Sequence, residues 1–144
     1  MFGNLLDVNV WLALTFDQHD HHRVAKSKQA ELAGTGLVFC RQTQTGLLRL
    51  LTSEHIMGID VLTMAAAWAH YHGLIASPHV RFEAEPAGLE AAWQIRSSLE
   101  TASPKLWNDA YLAAFATNAG LRIVTFDRAF RQFRDNDVLI LDTK

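Results

Sequence analysis

The chain has 144 residues, 49% of them hydrophobic, with 13 basic and 15 acidic side chains and a formal charge of −2. That length suits one domain, here 1–144, and that apolar content excludes an intrinsically disordered chain. The missing basic excess argues against a free-standing nucleic-acid-binding module, and a lone Cys40 excludes an internal disulfide or a cysteine zinc site.

The longest apolar runs are far too short to cross a bilayer. The first residues carry neither the basic region nor the long apolar region of a signal peptide. The expectation is a soluble, cytoplasmic protein with no membrane contact.

Asn4-Leu5-Leu6 predicts a short buried strand that stops at Asp7 and turns at once into a helix over 8–16. Val8, Trp11 and Leu12 fall on one face of that helix at the i, i+3, i+4 spacing. A second helix over 20–32 is closed by Gly34 and Gly36. The apolar run 37–40 predicts a buried parallel strand. Gln44, Leu47, Leu48 and Leu51 share one face of a helix over 43–52. Thr63 caps a further helix through Ile75, and 79–83 predicts a third strand. Pro86 opens the next helix, through Leu99. An Ala-rich helix over 108–119 ends at Gly120. Residues 122–126 form the clearest strand, stopping at Asp127, and a short helix over 128–133 leads to a last strand over 138–141.

Strands alternate with helices throughout. The fold class is therefore α/β, a three-layer α/β/α sandwich around a mainly parallel sheet of about five strands.

Ligands of open parallel sheets bind at the carboxyl ends of the strands. Asp7 and Asp127 each follow a buried strand, and Asp109 lies in the first turn of its helix. Each acid has a plain structural explanation. Asp7 and Asp127 suit helix N-caps, and Asp109 complements a helix dipole. Brought together, three carboxylates would repel one another and raise at least one pKa unless a cation neutralised them. Mg²⁺ or Mn²⁺ fits such oxygen ligands, and either ion can activate a water and stabilise charge on a phosphodiester.

The motif Asp7-Val8-Asn9-Val10-Trp11-Leu12-Ala13-Leu14 resembles the opening of PIN-domain ribonucleases. Leu106-Trp107-Asn108-Asp109-Ala110-Tyr111-Leu112-Ala113-Ala114 is similar to their later acidic helix, and Val124-Thr125-Phe126-Asp127-Arg128-Ala129-Phe130 to their next strand-end acid. The stretch from Cys40 to Thr52 is similar to a subgroup of VapC-type toxins. The resemblance implies a PIN-like fold and a Mg²⁺- or Mn²⁺-dependent endoribonuclease that hydrolyses RNA. It also implies a homodimer and inhibition by a VapB-type antitoxin. Asp7, Asp109 and Asp127 carry over as catalytic, metal-binding acids. Asn9 matches a polar residue that orients the first acid or a bound water.

One departure stands out. Many PIN domains carry a Glu in the third helix, and by register that position is Gly46. Thr43 and Gln44 are the nearby polar candidates for a supporting role, with Gln44 equally suited to a buried hydrogen bond. The missing acid motivates an alternative, a catalytically weakened PIN-like module that works through protein contacts. A receiver-like signalling domain expects paired acids after the first strand and a Lys near the last, and neither is present. His19, His21 and His22 read as surface residues at a helix entrance, and Arg122, Arg128, Arg131 and Arg134 as solvated charges. Trp107 reads as a packing anchor close enough in sequence to Asp109 to touch RNA.

Overall fold

The computed structural model describes residues 3–142. Five strands form one sheet, β1 (Asn4–Leu6), β2 (Leu37–Phe39), β3 (Val80–Phe82), β4 (Arg122–Thr125) and β5 (Val138–Ile140). Every pairing is parallel, and the order is β3-β2-β1-β4-β5. The central strand β1 pairs with β4 through Leu5↔Ile123 and Leu6↔Val124. The segments following β1 and β4 thus leave the sheet side by side at its carboxyl edge.

Side chains alternate across a strand, so a two-sided core needs apolar residues at every position. Leu6, Leu37, Phe39 and Val124 face one layer; Leu5, Val38 and Ile123 face the other. The first layer comprises α1 (Val8–Thr15), α2 (His22–Ala33), α3 (Arg41–Leu51) and α5 (Met64–Ile75), which bury Trp11, Leu32, Leu47 and Tyr71. Trp11 lies flat on Phe39, ring centroids 3.8 Å apart. The second layer comprises α6 (Leu89–Ser97) and α7 (Leu106–Ala119). Ala110, Ala113, Ala114 and Ala116 are fully buried on α7, and their small side chains let its backbone approach the sheet. Gly120, at φ +71°, ends α7 in the left-handed conformation that lets Leu121 N–H reach back to Ala116 O, and β4 follows at once.

Asn4 fixes the opposite edge of the sheet. It is fully buried, its Nδ2 donates to Leu32 O at 2.9 Å and Thr35 Oγ1 at 2.7 Å, and its Oδ1 accepts from Arg122 Nε at 3.0 Å. Arg122 is therefore a structural partner of β1 rather than a free surface charge.

Several boundaries differ from the expectations. α6 begins at Leu89, because Gly88 at φ +77° breaks the chain after Pro86. α7 starts at Leu106, and β4 stops at Thr125, one residue earlier than expected. Residues Arg128–Gln132 form a 3₁₀ turn. A short helix α4 (Glu54–Met57) and a 3₁₀ turn (Gly58–Asp60) were not expected; one helical turn is too short to leave a periodic signal. No helix among the described residues is long and apolar enough to cross a membrane.

Candidate active site

Asp7 leaves β1 in an extended conformation and caps α1. Its backbone N–H donates to Val124 O at 2.9 Å, which continues the β1–β4 ladder. Oδ1 accepts from Val8 N–H at 2.8 Å, and Oδ2 accepts from the Thr125 hydroxyl at 2.8 Å. Burial pushes the Asp7 pKa up, the two hydrogen bonds oppose it, and the Asp127 charge raises it further. The capping explanation is thus correct for one oxygen, while the other is held by a neighbouring strand.

Asp127 lies two residues past β4. Its N–H donates to Thr125 Oγ1 at 3.0 Å, and its Oδ1 accepts from Ala129 N–H at 2.9 Å. The carboxylate is solvent-exposed. Asp109 is half-buried in the first turn of α7. Its pKa is raised to about 6, first by burial, then by the charges of Asp7 and Asp127, with Lys105 opposing. Each of the other two acids is therefore within electrostatic reach of Asp109.

The donors are all hard oxygens, the set that suits Mg²⁺ or Mn²⁺. Among the described residues no group of three His, Cys, Asp or Glu side chains is close enough to hold a metal ion jointly. Mg²⁺ commonly uses only one or two carboxylates and completes its shell with waters and substrate phosphates. The acid set fits such an ion on donor chemistry and on the repulsion that a cation would relieve.

The polar residues around the acids divide sharply. Asn9 is exposed on α1 and lines one pocket with Asp127. Thr43 is fully buried; its hydroxyl accepts from Cys40 N–H at 3.0 Å and is spent on capping α3. Gln44 is buried with its Oε1 accepting from the Arg41 guanidinium, and it also engages Tyr71. Neither side chain hydrogen-bonds to Asp7, Asp109 or Asp127. The α3 side chain that reaches α7 is Gln42, whose Nε2 donates to Asn108 O at 3.5 Å. Its Oε1 is buried without a hydrogen-bond partner. At Gly46 a Cβ would lie 2.6 Å from Val8 Cγ2, so Val8 fills the space that a side chain at position 46 would need.

Sequence reasoning missed Thr125 and Gln42. Thr125 lies opposite Asp7 by the Leu6↔Val124 pairing, a register that the structure supplies and sequence reasoning lacked. That reasoning also placed His19 and His21 on the surface, whereas both are partly buried beside Phe126 and Asp127. Trp107 is 57% exposed, with its carbonyl accepting from Trp93 Nε1 at 3.0 Å. Glu83 is paired with Arg81 at 2.9 Å, and Glu85 accepts from Tyr111 Oη at 2.7 Å.

The PIN domain family matches residues 5–136. The chain is 40% identical to Ribonuclease VapC41 of Mycobacterium tuberculosis over 142 residues, covering 95% of this chain and 97% of that protein. The solved M. tuberculosis VapC20, a Sarcin-Ricin loop cleaving toxin, superposes with a TM-score of 0.63 at 22% identity, covering 90% of this chain and 94% of that one. VapBC2 from Rickettsia felis, bound to a DNA fragment from its promoter, superposes with a TM-score of 0.67 at 11% identity, covering 96% and 98%. At such identities the two structures bear on the fold alone, and it is the same fold. By the family match and the identity to VapC41, the chain belongs to the PIN-domain family, as a VapC-type ribonuclease toxin of the toxin–antitoxin kind.

Proposed function

We propose that the protein is an endoribonuclease that hydrolyses RNA phosphodiester bonds with Mg²⁺ or Mn²⁺ held among Asp7, Asp109 and Asp127 by one or two carboxylates directly, with waters and substrate phosphate completing its shell. What supports this reading is that Thr125 ties Asp7 and Asp127 together at one sheet edge, with Asp109 near enough that their charges, after burial, push its pKa up to about 6. A carboxylate made this costly to ionise is relieved by a cation among the three. When bound, the ion supplies an activated water and a counter-charge for the phosphodiester.

The chain's own residues hold the acids in place. The Thr125 hydroxyl and Val8 N–H each occupy one Asp7 oxygen, which fixes its rotamer. Ala129 N–H holds Asp127 Oδ1. Asn9 lines one pocket with Asp127, and its exposed amide can meet substrate or bound water there. Gln42 Oε1 is the remaining buried acceptor near the N-terminus of α7.

The partners that follow are an RNA substrate and a VapB-type antitoxin, with action in the cytoplasm. A homodimer is supported by exposed apolar residues on neighbouring elements: Ile59 is 100% exposed, Met64 73% and Trp68 46%. The Gly46 departure favours one competing reading, a PIN-like module with weakened catalysis. Calorimetric titration with Mn²⁺ separates the two. Binding that is lost in Asp7→Asn supports the nuclease; no binding at millimolar Mn²⁺ supports the weakened module.

A further inference from the structure

The turn between α1 and α2 lines a pocket of about 530 Å³ together with Phe126 and Asp127. Three features give it a ligand's chemistry. Its rings are preset: His21 packs on Phe126 with centroids 4.9 Å apart and planes at 36°. Its lining mixes apolar side chains, Leu12, Phe16 and Ile56, with polar ones, Asn9, Gln18 and Asp20. Its size lies within the range of small-ligand sites, about 300–1,000 Å³.

The turn is held rigidly. His21 N–H donates to His19 Nδ1 at 3.0 Å, which places the proton of the neutral His19 ring on Nε2. His22 Nδ1 lies 2.6 Å from Ala13 O and ties the turn to α1. A wall ordered before binding loses little entropy on binding. Phe126 sits between Thr125 and Asp127, so a group resting against the His21–Phe126 pair lies beside the candidate acids.

Unpaired bases of RNA are recognised by stacking on aromatic rings and by hydrogen bonds to their edges. A carboxylate is an acceptor only, so Asp20 favours a base that presents an amino group. Guanine, adenine and cytosine each carry one; the only edge donor of uracil, N3–H, is flanked by two carbonyls that repel a carboxylate. We propose that this pocket seats one unpaired, amino-bearing nucleobase of the RNA next to the scissile phosphate, with His21 as the stacking ring and Asp20 and Gln18 as the edge-reading groups. The proposal rests on the ribonuclease reading and deepens it. The groove beside Trp93 and Trp107 is a weaker candidate, because residues 107 and 109, two apart on α7, project to nearly opposite sides of the helix.

The test is a titration of wild-type protein, metal chelated, with nucleoside 5′-monophosphates, followed by NMR at the Ile56 methyl and His21 ring. GMP, AMP or CMP is expected to shift both, with UMP binding at least five-fold more weakly. His21→Ala is expected to lose the shifts and His21→Phe to keep the Ile56 shift. On RNA oligonucleotides, His21→Ala is expected to lower kcat/KM about ten-fold through KM and to flatten the base preference at one position beside the cut. Asp20→Asn is expected to admit uracil there. No shift with any nucleotide, an unchanged base preference in His21→Ala, or shifts produced only by an antitoxin peptide each overturn the proposal. The titration needs no cleavage. Nucleotide shifts without RNA cleavage would remove the nuclease reading and retain the base site; cleavage without shifts would do the reverse.

Discussion

The Thr125 hydroxyl donates a 2.8 Å hydrogen bond to Oδ2 of Asp7 and receives the Asp127 N–H at 3.0 Å. One buried side chain on β4 therefore ties two strand-end acids that lie 120 positions apart in the numbering. A hydrogen bond to a charged group contributes about 1.5–3 kcal/mol. Thr125→Val keeps the shape and removes the hydroxyl. Its loss raises the Asp7 pKa, since this bond is the larger of the two that lower it. The expected result is cleavage reduced at least ten-fold, with the acidic limb of the pH–rate profile moved to higher pH. Thr125→Ser is expected to restore both. Rates measured across pH 5–8 check this.

Asp109 gives a second prediction. Its folded pKa of about 6 lies above the ordinary carboxyl value of 3.8. A carboxyl with a raised folded pKa stabilises the fold fully below its unfolded value and loses that contribution as pH rises through 6. Metal-free protein is thus expected to lose stability between about pH 4 and pH 7 from this group, and Mg²⁺ to restore it. Asp109→Asn is expected to melt higher than metal-free wild type at pH 7.5 while failing to cut RNA. Carboxyl carbon NMR, with and without Mg²⁺, reports the titration directly.

The absent third-helix acid is not restored by simple replacement. Gly46→Glu must displace Val8, which a Cβ would approach to 2.6 Å. Overpacking of this kind costs about 1–3 kcal/mol. The expected outcome is a lower melting temperature with no gain in Mn²⁺ affinity. Gln42→Glu places an acid on the α3 side chain that does reach α7, and is expected to tighten Mn²⁺ binding several-fold by calorimetry.

Asn4 separates fold from site. Asn4→Leu removes the bonds from Nδ2 to Leu32 O, Thr35 Oγ1 and Gly36 O and takes the Asn4 acceptor from Arg122 Nε. Loss of a buried network of this kind is expected to cost about 2–4 kcal/mol in chemical denaturation. Because Asn4 lies at the other end of β1 from Asp7, the remaining folded protein is expected to keep its Mn²⁺ affinity.

The strands and the sheet were legible because doubly buried strands leave short apolar runs, and Asp7 and Asp127 stood out as the acids that stop two of them. Thr125 did not stand out, since a threonine inside a strand reads as ordinary β-propensity. Gln42 was passed over for Thr43 and Gln44 because α3 begins at Arg41, two residues earlier than expected. Each helical residue turns the side chain by about 100°, so neighbours on α3 point to different parts of the molecule. Thr43 faces Cys40 and Gln44 faces Arg41, while Gln42 faces Asn108. The His19–His21 turn depends on how α1 and α2 pack, which no local pattern encodes. That Val8 fills the space at Gly46 is likewise a tertiary fact.

The most direct measurement is RNA cleavage by purified wild-type and Asp7→Asn protein as Mn²⁺ is titrated from a chelated start. The account predicts that wild-type cleavage rises saturably with Mn²⁺ and that Asp7→Asn, folded by circular dichroism, cuts nothing. Cleavage by Asp7→Asn at the wild-type rate, or wild-type cleavage indifferent to Mn²⁺ and chelator, would contradict it.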